Sequence, residues 1–224
     1  MKRFLLAVGA GLMAVSMASP SLAADLPRPS YKAPMYVAPY FSWTGFYVGI
    51  NGGYGWGKSN WNNAVASTGD FNVKGPLVGG TLGYNLQTGA WVWGLEADAD
   101  ISFIKGSTLT ACGGGGCETR NRWLGTARGR IGYAWDRFLP YITGGAAFGD
   151  IKMTNPIGAS ETKTKIGWTV GGGLEYAFLG AWSAKIEYLY VDLGKATCGA
   201  ATCGLDTDVK FTSHIGKIGV NYRF

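Results

Sequence analysis

The sequence predicts an all-β fold: an eight-stranded antiparallel transmembrane β-barrel with four long external loops and short periplasmic turns. Three observations lead there. From residue 43 onward, eight segments alternate with a period of two, the pattern of strands whose two faces meet different environments. Their connections are short after the second, fourth and sixth segments, and long after the first, third, fifth and seventh. One face carries bulky apolar side chains and the other carries ions and glycine, which suits lipid outside and a narrow lumen inside. Without an apolar run long enough for a spanning helix, only a closed barrel satisfies every backbone group in a bilayer.

The amino-terminal stretch "MKRFLLAVGAGLMAVSMASPSLAADLP" has Lys2 and Arg3, then an apolar run, then the small residues Ser21 and Ala23. Residues 1–23 read as a secretory signal peptide, too short for a membrane helix. Residues 24–42 carry Pro, Ala and Tyr without periodicity and read as an extended periplasmic tail, leaving 43–224 for the barrel. The first segment, 43–57, puts Phe46, Val48, Ile50, Tyr54 and Trp56 on one face. The second, 74–86, opposes Val78, Leu82 and Tyr84 to Gly79, Thr81, Gly83 and Asn85. The third, 91–104, opposes Trp91, Trp93, Leu95 and Phe103 to Glu96, Asp98, Asp100 and Ser102. The fourth, 119–135, opposes Trp123, Ala127, Ile131, Tyr133 and Trp135 to Arg122, Thr126, Arg128 and Arg130. The others are 140–152, 164–178, 181–192 and 209–224.

The aromatics fall into two belts, as expected of rings that prefer the membrane interfaces. The periplasmic belt holds Trp43, Tyr84, Trp91, Trp93, Tyr133, Trp135, Tyr141, Tyr176, Phe178, Trp182, Tyr222 and Phe224. The external belt holds Tyr54, Trp56, Phe103, Trp123, Phe148, Trp168, Tyr190 and Phe211.

Closely spaced carboxylates in "WVWGLEADADIS" raise three readings: a metal site, a catalytic pair, or the inner face of a strand. Setting Phe103 opposite Trp123 fixes a register that pairs Asp98 with Arg128 and Glu96 with Arg130. It also matches Trp93 with Tyr133 and Trp91 with Trp135. The interior of an eight-stranded barrel is just wide enough for side chains, and charges held out of water need partners. A lumen lattice is therefore expected from Glu96, Asp98, Asp100, Arg128, Arg130, Glu175, Lys185, Glu187 and Lys217, with Arg223 a further inward candidate. Nearby arginines would repel a metal cation. A glycosidase pair at Glu96 and Asp98 would need a sugar to enter a filled lumen. Ser213 and His214 are strand neighbours and point to opposite faces, so they form no catalytic dyad with each other. No enzymatic activity, cofactor or metal is expected.

The net charge of +6, or +4 without Lys2 and Arg3, is too mild to argue for nucleic acid. The cysteines occur in two local pairs, and an oxidising compartment favours the disulfides Cys112–Cys117 and Cys198–Cys203. A four-thiolate zinc site is the alternative, with spacings wider than is usual for metal ligands.

"WTGFYVGINGGYGWG", "WLGTARGRIGYAWDRFLPYITGGAAFG", "GWTVGGGLEYAF", "WSAKIEYLYVDLG" and the terminal "IGVNYRF", in that order, resemble the alphaproteobacterial outer-membrane immunogenic-protein family, a group of OmpA-like eight-stranded barrels. The resemblance covers nearly all of the mature chain but not the long loops. It implies an outer-membrane surface protein of a Gram-negative bacterium. It also implies that Tyr222 and Phe224 form a carboxy-terminal signal read by the outer-membrane assembly machinery. The expected role is structural: envelope integrity, with the lumen plugged by ion pairs. Outer-membrane lipids and lipopolysaccharide are the expected partners, met by Lys58, Lys74, Lys105, Arg120, Arg122, Lys152, Lys163, Lys165, Lys195 and Lys210 near the external end. The alternatives are a small porin or a transport protein for haem or another amphiphile, and a soluble lipocalin-like binder.

Overall fold

The computed structural model describes residues 41–62, 67–109, 116–154, 159–199 and 207–224. The signal peptide and all but the last two residues of the tail lie outside them. Eight antiparallel strands close into one ring in sequence order: β1 (Gly45–Asn62), β2 (Ser67–Thr88), β3 (Trp91–Thr108), β4 (Cys117–Tyr133), β5 (Phe138–Thr154), β6 (Ser160–Leu179), β7 (Trp182–Cys198) and β8 (Thr207–Arg223). β1 closes on β8 over a continuous register from Tyr47↔Arg223 to Asn62↔Asp208. The turns at one end are tight. Gly89 and Gly180 take left-handed backbone (φ 62° and 52°) in the turns after β2 and β6, where a side chain would be strained. The turn after β4 uses Asp136 at φ 53°, a short polar residue that tolerates this region.

The strands are longer than the sequence pattern indicates, and the added residues are mostly at the long-loop end. A transmembrane strand needs about 9–11 residues, yet β2 has 22. The reason is a change of polarity along each strand. In the lower part the outward residues are apolar, among them Phe46, Ile50, Leu82, Leu95, Ile142 and Ile218. Farther out the outward positions turn polar: Lys58 and Asn60 on β1, Asn72 and Lys74 on β2, Lys105 on β3. There the inward positions turn apolar instead. Trp61, Phe71, Val73, Ile104, Ile151, Met153, Leu193, Val209 and Phe211 pack into one cluster inside the ring. The alternation expected for lipid ends at the membrane rim, and the strands continue with the alternation of a water-soluble sheet.

Above the rim the ring is paired less completely. β6 and β7 share no backbone pairing above Trp168↔Asp192, and β2 and β3 none above Lys74↔Lys105, among the described residues. The outer part is thus two four-stranded leaves, β7-β8-β1-β2 and β3-β4-β5-β6, with the apolar cluster between them. A bulge frees β7 from β6: the register shifts between Asp192 and Lys195, Gly194 is left-handed (φ 71°), and its N–H donates to Asp192 Oδ1 at 2.7 Å. Across this seam Gly199 N donates to Glu161 Oε2 at 3.1 Å.

Three of the expected belt aromatics face inward instead. Phe211 belongs to the outer cluster, and Tyr141 is buried in the lumen. Trp43 precedes β1 and lies beneath the barrel with Val92, Ala134, Leu139 and Ala177, with Phe41 packed against the group. Its backbone N–H donates to Gln87 Oε1 (2.7 Å) and its indole N–H to Asp136 O (3.0 Å). Tyr84, Trp91, Trp93, Tyr133, Trp135, Tyr176, Phe178, Trp182, Tyr222 and Phe224 do point outward at the tight-turn end.

Candidate functional site

Between these two apolar layers, all eight strands send polar side chains to the axis. β3 contributes Glu96, Asp98 and Asp100, which point inward because they alternate with the outward Leu95, Ala97, Ala99 and Ile101. β4 contributes Arg128 and Arg130, β6 Glu175, β7 Lys185 and Glu187, and β8 Lys217. Each is at most 3 % exposed except Asp98 at 5 %, so every charge here depends on a partner.

Arg128 is the hub. Its Nη2 donates to Glu96 Oε1 at 2.6 Å and to Asp98 Oδ2, and its Nη1 lies 3.0 Å from Glu187 Oε1. Arg130 pairs with Glu175 (2.6 Å) and Glu96 (3.3 Å), with its guanidinium 4.2 Å from the centre of the Tyr141 ring and 5.6 Å from that of Tyr47. Lys185 donates to Glu96 (3.0 Å), and Lys217 to Asp100 (2.5 Å), with Asp98 at 3.8 Å. Neutral groups occupy several further acceptor sites. Tyr47 OH donates to Glu96 (2.7 Å), Thr81 and Thr126 to Asp98 (2.7 and 3.1 Å), Tyr141 OH to Glu187 (3.1 Å), and Ser183 and Asn221 to Glu175 (2.6 and 2.8 Å). Four bases face five carboxylates, one formal negative charge in excess.

All nine residues expected in the lumen lattice are gathered there. The strand register differs from the expected one. Glu96 is opposite Arg128, not Arg130; Asp98 is opposite Thr126; Trp91 is opposite Tyr133; and Ile101, not Phe103, is opposite Trp123. From Trp91 to Ile101 the alignment is displaced by two residues. The pleat repeats every two residues, so such a slip keeps every side chain on its face and changes only its partners. Arg128 still reaches Asp98, diagonally, and holds Glu96 with the same nitrogen.

Two arginines read from the alternation as inward-facing do not join the lattice. Arg122 is outside, because a bulge at this point leaves both Arg122 and Trp123 exposed. Asp150 fills that bulge: its Oδ1 accepts both backbone N–H groups (2.7 and 3.1 Å) and its Oδ2 accepts Arg122 Nε at 2.9 Å. Arg223 is at the periplasmic mouth, 4.4 Å from the centre of the Phe41 ring.

Sequence reasoning missed Asp150, and missed Tyr47, Thr81, Thr126, Tyr141, Ser183 and Asn221 as lattice members. For the lumen groups parity was the available signal: Tyr47 lies between the outward Phe46 and Val48 and so must point in. Asp150 carried no such signal, since its role depends on the bulge across from it.

Glu96, Asp98 and Glu187 bring carboxylate oxygens within 4.8 Å of one another, close enough to hold a metal ion. The Arg128 guanidinium contacts all three and stands where a cation would. Ser213 is buried inside while His214 is on the outer wall, where its Nδ1 meets Tyr188 OH at 2.6 Å and its ring stacks beside Trp56. Cys117 and Cys198 are disulfide-bonded. The expected partners of those bonds, Cys112 and Cys203, lie outside the described residues.

Residues 10–224 match the family model described as the outer membrane protein beta-barrel domain. The chain is 36% identical, over 245 residues and 100% of both chains, to a 31 kDa outer-membrane immunogenic protein of Brucella melitensis. It is 31% identical, over 98% of its own length and 97% of the relative's, to a 25 kDa outer-membrane immunogenic protein of the same organism. Among solved structures it is similar in fold to the outer membrane protein OprG of Pseudomonas aeruginosa. That match has a TM-score of 0.50 and 16% identity, covering 81% of this chain and 96% of that one. The closed eight-stranded ring, its apolar outer wall and these matches agree: the chain belongs to the outer membrane protein beta-barrel family and resides in the outer membrane.

Proposed function

We propose that the protein is a structural, surface-exposed barrel that contributes to envelope integrity, and that its lumen is closed to solutes. The observation that carries this reading is the continuous filling of the axis. An apolar layer with Trp43 and Leu139 lies at the periplasmic mouth, the ionic lattice lies in the middle, and the apolar cluster around Phe211 and Ile151 lies above. A solute would have to break buried Arg128 contacts and displace packed side chains on either side. Ser213 and His214 occupy opposite sides of the wall and form no dyad with each other. This supports a non-enzymatic role. Tyr222 and Phe224 are outward at the end of β8, where assembly machinery can reach them before β1 closes on β8.

Single-channel recording in planar bilayers tests the reading. The expected result is silence from the wild-type protein. Stable openings of defined size in the folded protein would sink it in favour of the alternative, a small porin or a carrier of haem or another amphiphile.

A further inference from the structure

The outer wall just above the membrane rim carries an arrangement that is costly for the protein alone. Lys74 is opposite Lys105, Lys105 opposite Arg120, and Arg120 opposite Lys152, so four adjacent strands present cations at successive partner positions. Neighbouring strands are about 4.8 Å apart, and like charges directly opposite destabilise a sheet. All four residues alternate with inward ones and face out. Arg120 has an acid, Glu118, at 2.7 Å. Lys74, Lys105 and Lys152 have no ion pair among the described residues. Two features tie the row to the membrane. It begins beside an external-belt aromatic, since Trp56 is the β1 partner of Lys74, and Phe103 is two residues down β3 from Lys105. Down the same strands the outward wall becomes smooth: Ala97 and Ala99 on β3, Gly125, Ala127 and Gly129 on β4, Gly144 and Ala146 on β5. It opens into an apolar groove floored by Gly129 and Gly144 and walled by Leu95, Ile131, Ile142 and Val170.

We infer that the Lys74–Lys105–Arg120–Lys152 row is a docking surface for the phosphate groups of a phosphorylated glycolipid of the outer leaflet, whose acyl chains lie on the small-residue wall and groove below. Charge complementarity selects an anion with several charges, because only such an anion relieves repulsion along the whole row. The groove selects one with acyl chains. The inference rests on the proposed structural reading only in taking the long-loop end as the external one. It is independent of whether the lumen conducts, because no residue of the row lines the lumen.

The test uses the full-length protein refolded in neutral detergent. Its heat-modifiable gel migration gives the unfolding midpoint without lipid, with bisphosphorylated lipid A, and with the same lipid A after its phosphates are removed. The phosphorylated lipid should raise the midpoint and the dephosphorylated lipid should not. The double variant Lys105→Glu/Arg120→Glu should lose the rise. Lys58→Glu, where the original cation already pairs with Asp70 at 3.5 Å, should keep it. If the charge-reversed protein does not fold, Lys105→Gln/Arg120→Gln serves in its place with the same expected loss. An equal rise with both lipids overturns the phosphate assignment, and an unchanged rise in the double variant overturns the row. A rise with soluble heparin and none with lipid A would make the row a polysaccharide site and overturn the lipid.

Discussion

The two halves of this barrel obey opposite rules. In the lower half the wall is apolar outside and polar inside: Leu82 and Ile142 face out while Thr81, Asp98 and Arg128 face in. In the upper half Lys58, Asn72 and Lys105 face out while Trp61, Val73 and Ile104 face in. The backbone is the same pleated strand throughout, with no turn between the two regimes on any of the eight strands. What changes is the solvent beyond the wall. Where lipid surrounds the barrel, apolar residues gain nothing by turning inward, and the interior is free for charges that cannot face hydrocarbon. Where water surrounds it, the hydrophobic effect drives apolar side chains inward again, as in a soluble sandwich. Cohesion differs accordingly. The lower half is held by fully paired backbone and a directional lattice. Among the described residues, the upper half has two unpaired seams and an apolar core between its leaves.

The comparison can be broken most strongly at Arg128. Arg128→Ala removes the guanidinium that Glu96, Asp98 and Glu187 share, and should cost about 3–5 kcal/mol, the range for breaking a buried pair. Removing Glu96 as well should recover only part of this, because two carboxylates remain beside the vacated position. Urea unfolding of the three proteins in lipid vesicles measures both effects. Full recovery in the double variant would mean that the lattice acts as isolated pairs.

The upper half should respond to lost volume rather than stranded charge. Ile151→Ala, at a fully buried position between the leaves, should cost about 2–5 kcal/mol as a cavity. The loss should appear chiefly as earlier protease nicking at the external end, with the membrane-embedded part staying protected. Limited proteolysis of intact proteoliposomes separates the two. Simultaneous loss of both parts would show that the halves unfold as one unit.

A single added charge sharpens the boundary itself. Leu82→Arg places a guanidinium on the lipid-facing wall and should cost about 2–4 kcal/mol near mid-membrane. Asn72→Arg, ten residues up the same strand and on the same face, should stay within about 0.5 kcal/mol of wild type. Similar urea midpoints for the two variants would place the membrane rim elsewhere. The smallest effect belongs to Lys58→Ala. Its ion pair with Asp70 is 3.5 Å long and more than half exposed on both sides, so the change should be at most about 1 kcal/mol and should shrink in high salt.

Much of the lower half was legible in the sequence, and the upper half was not. "WVWGLEADADIS" shows two faces at sight, and the inward set from Glu96 to Lys217 follows from parity alone. The expected segments stopped at 57, 104 and 192 because the outward positions turn polar there. In the structure β1 runs to Asn62, β3 to Thr108 and β7 to Cys198. The alternation had not ended but inverted, and a polar outer face after an apolar one reads like the start of a loop.

By itself, the sequence determined the fold class, the number and order of strands, the face of most residues and the membership of the ionic lattice. All of these follow from the two-residue period of the pleat and from which side of the wall meets lipid. Only the tertiary structure decided which residue meets which. A slip of two residues leaves the pattern intact, so nothing along β3 and β4 could distinguish Arg128 from Arg130 as the partner of Glu96. The position of Trp43 under the barrel, the capture of the Arg122 bulge by Asp150 and the parting of the two leaves were likewise fixed only by closure of the ring. Closure sets the stagger of all eight strands at once, and no single strand carries that information.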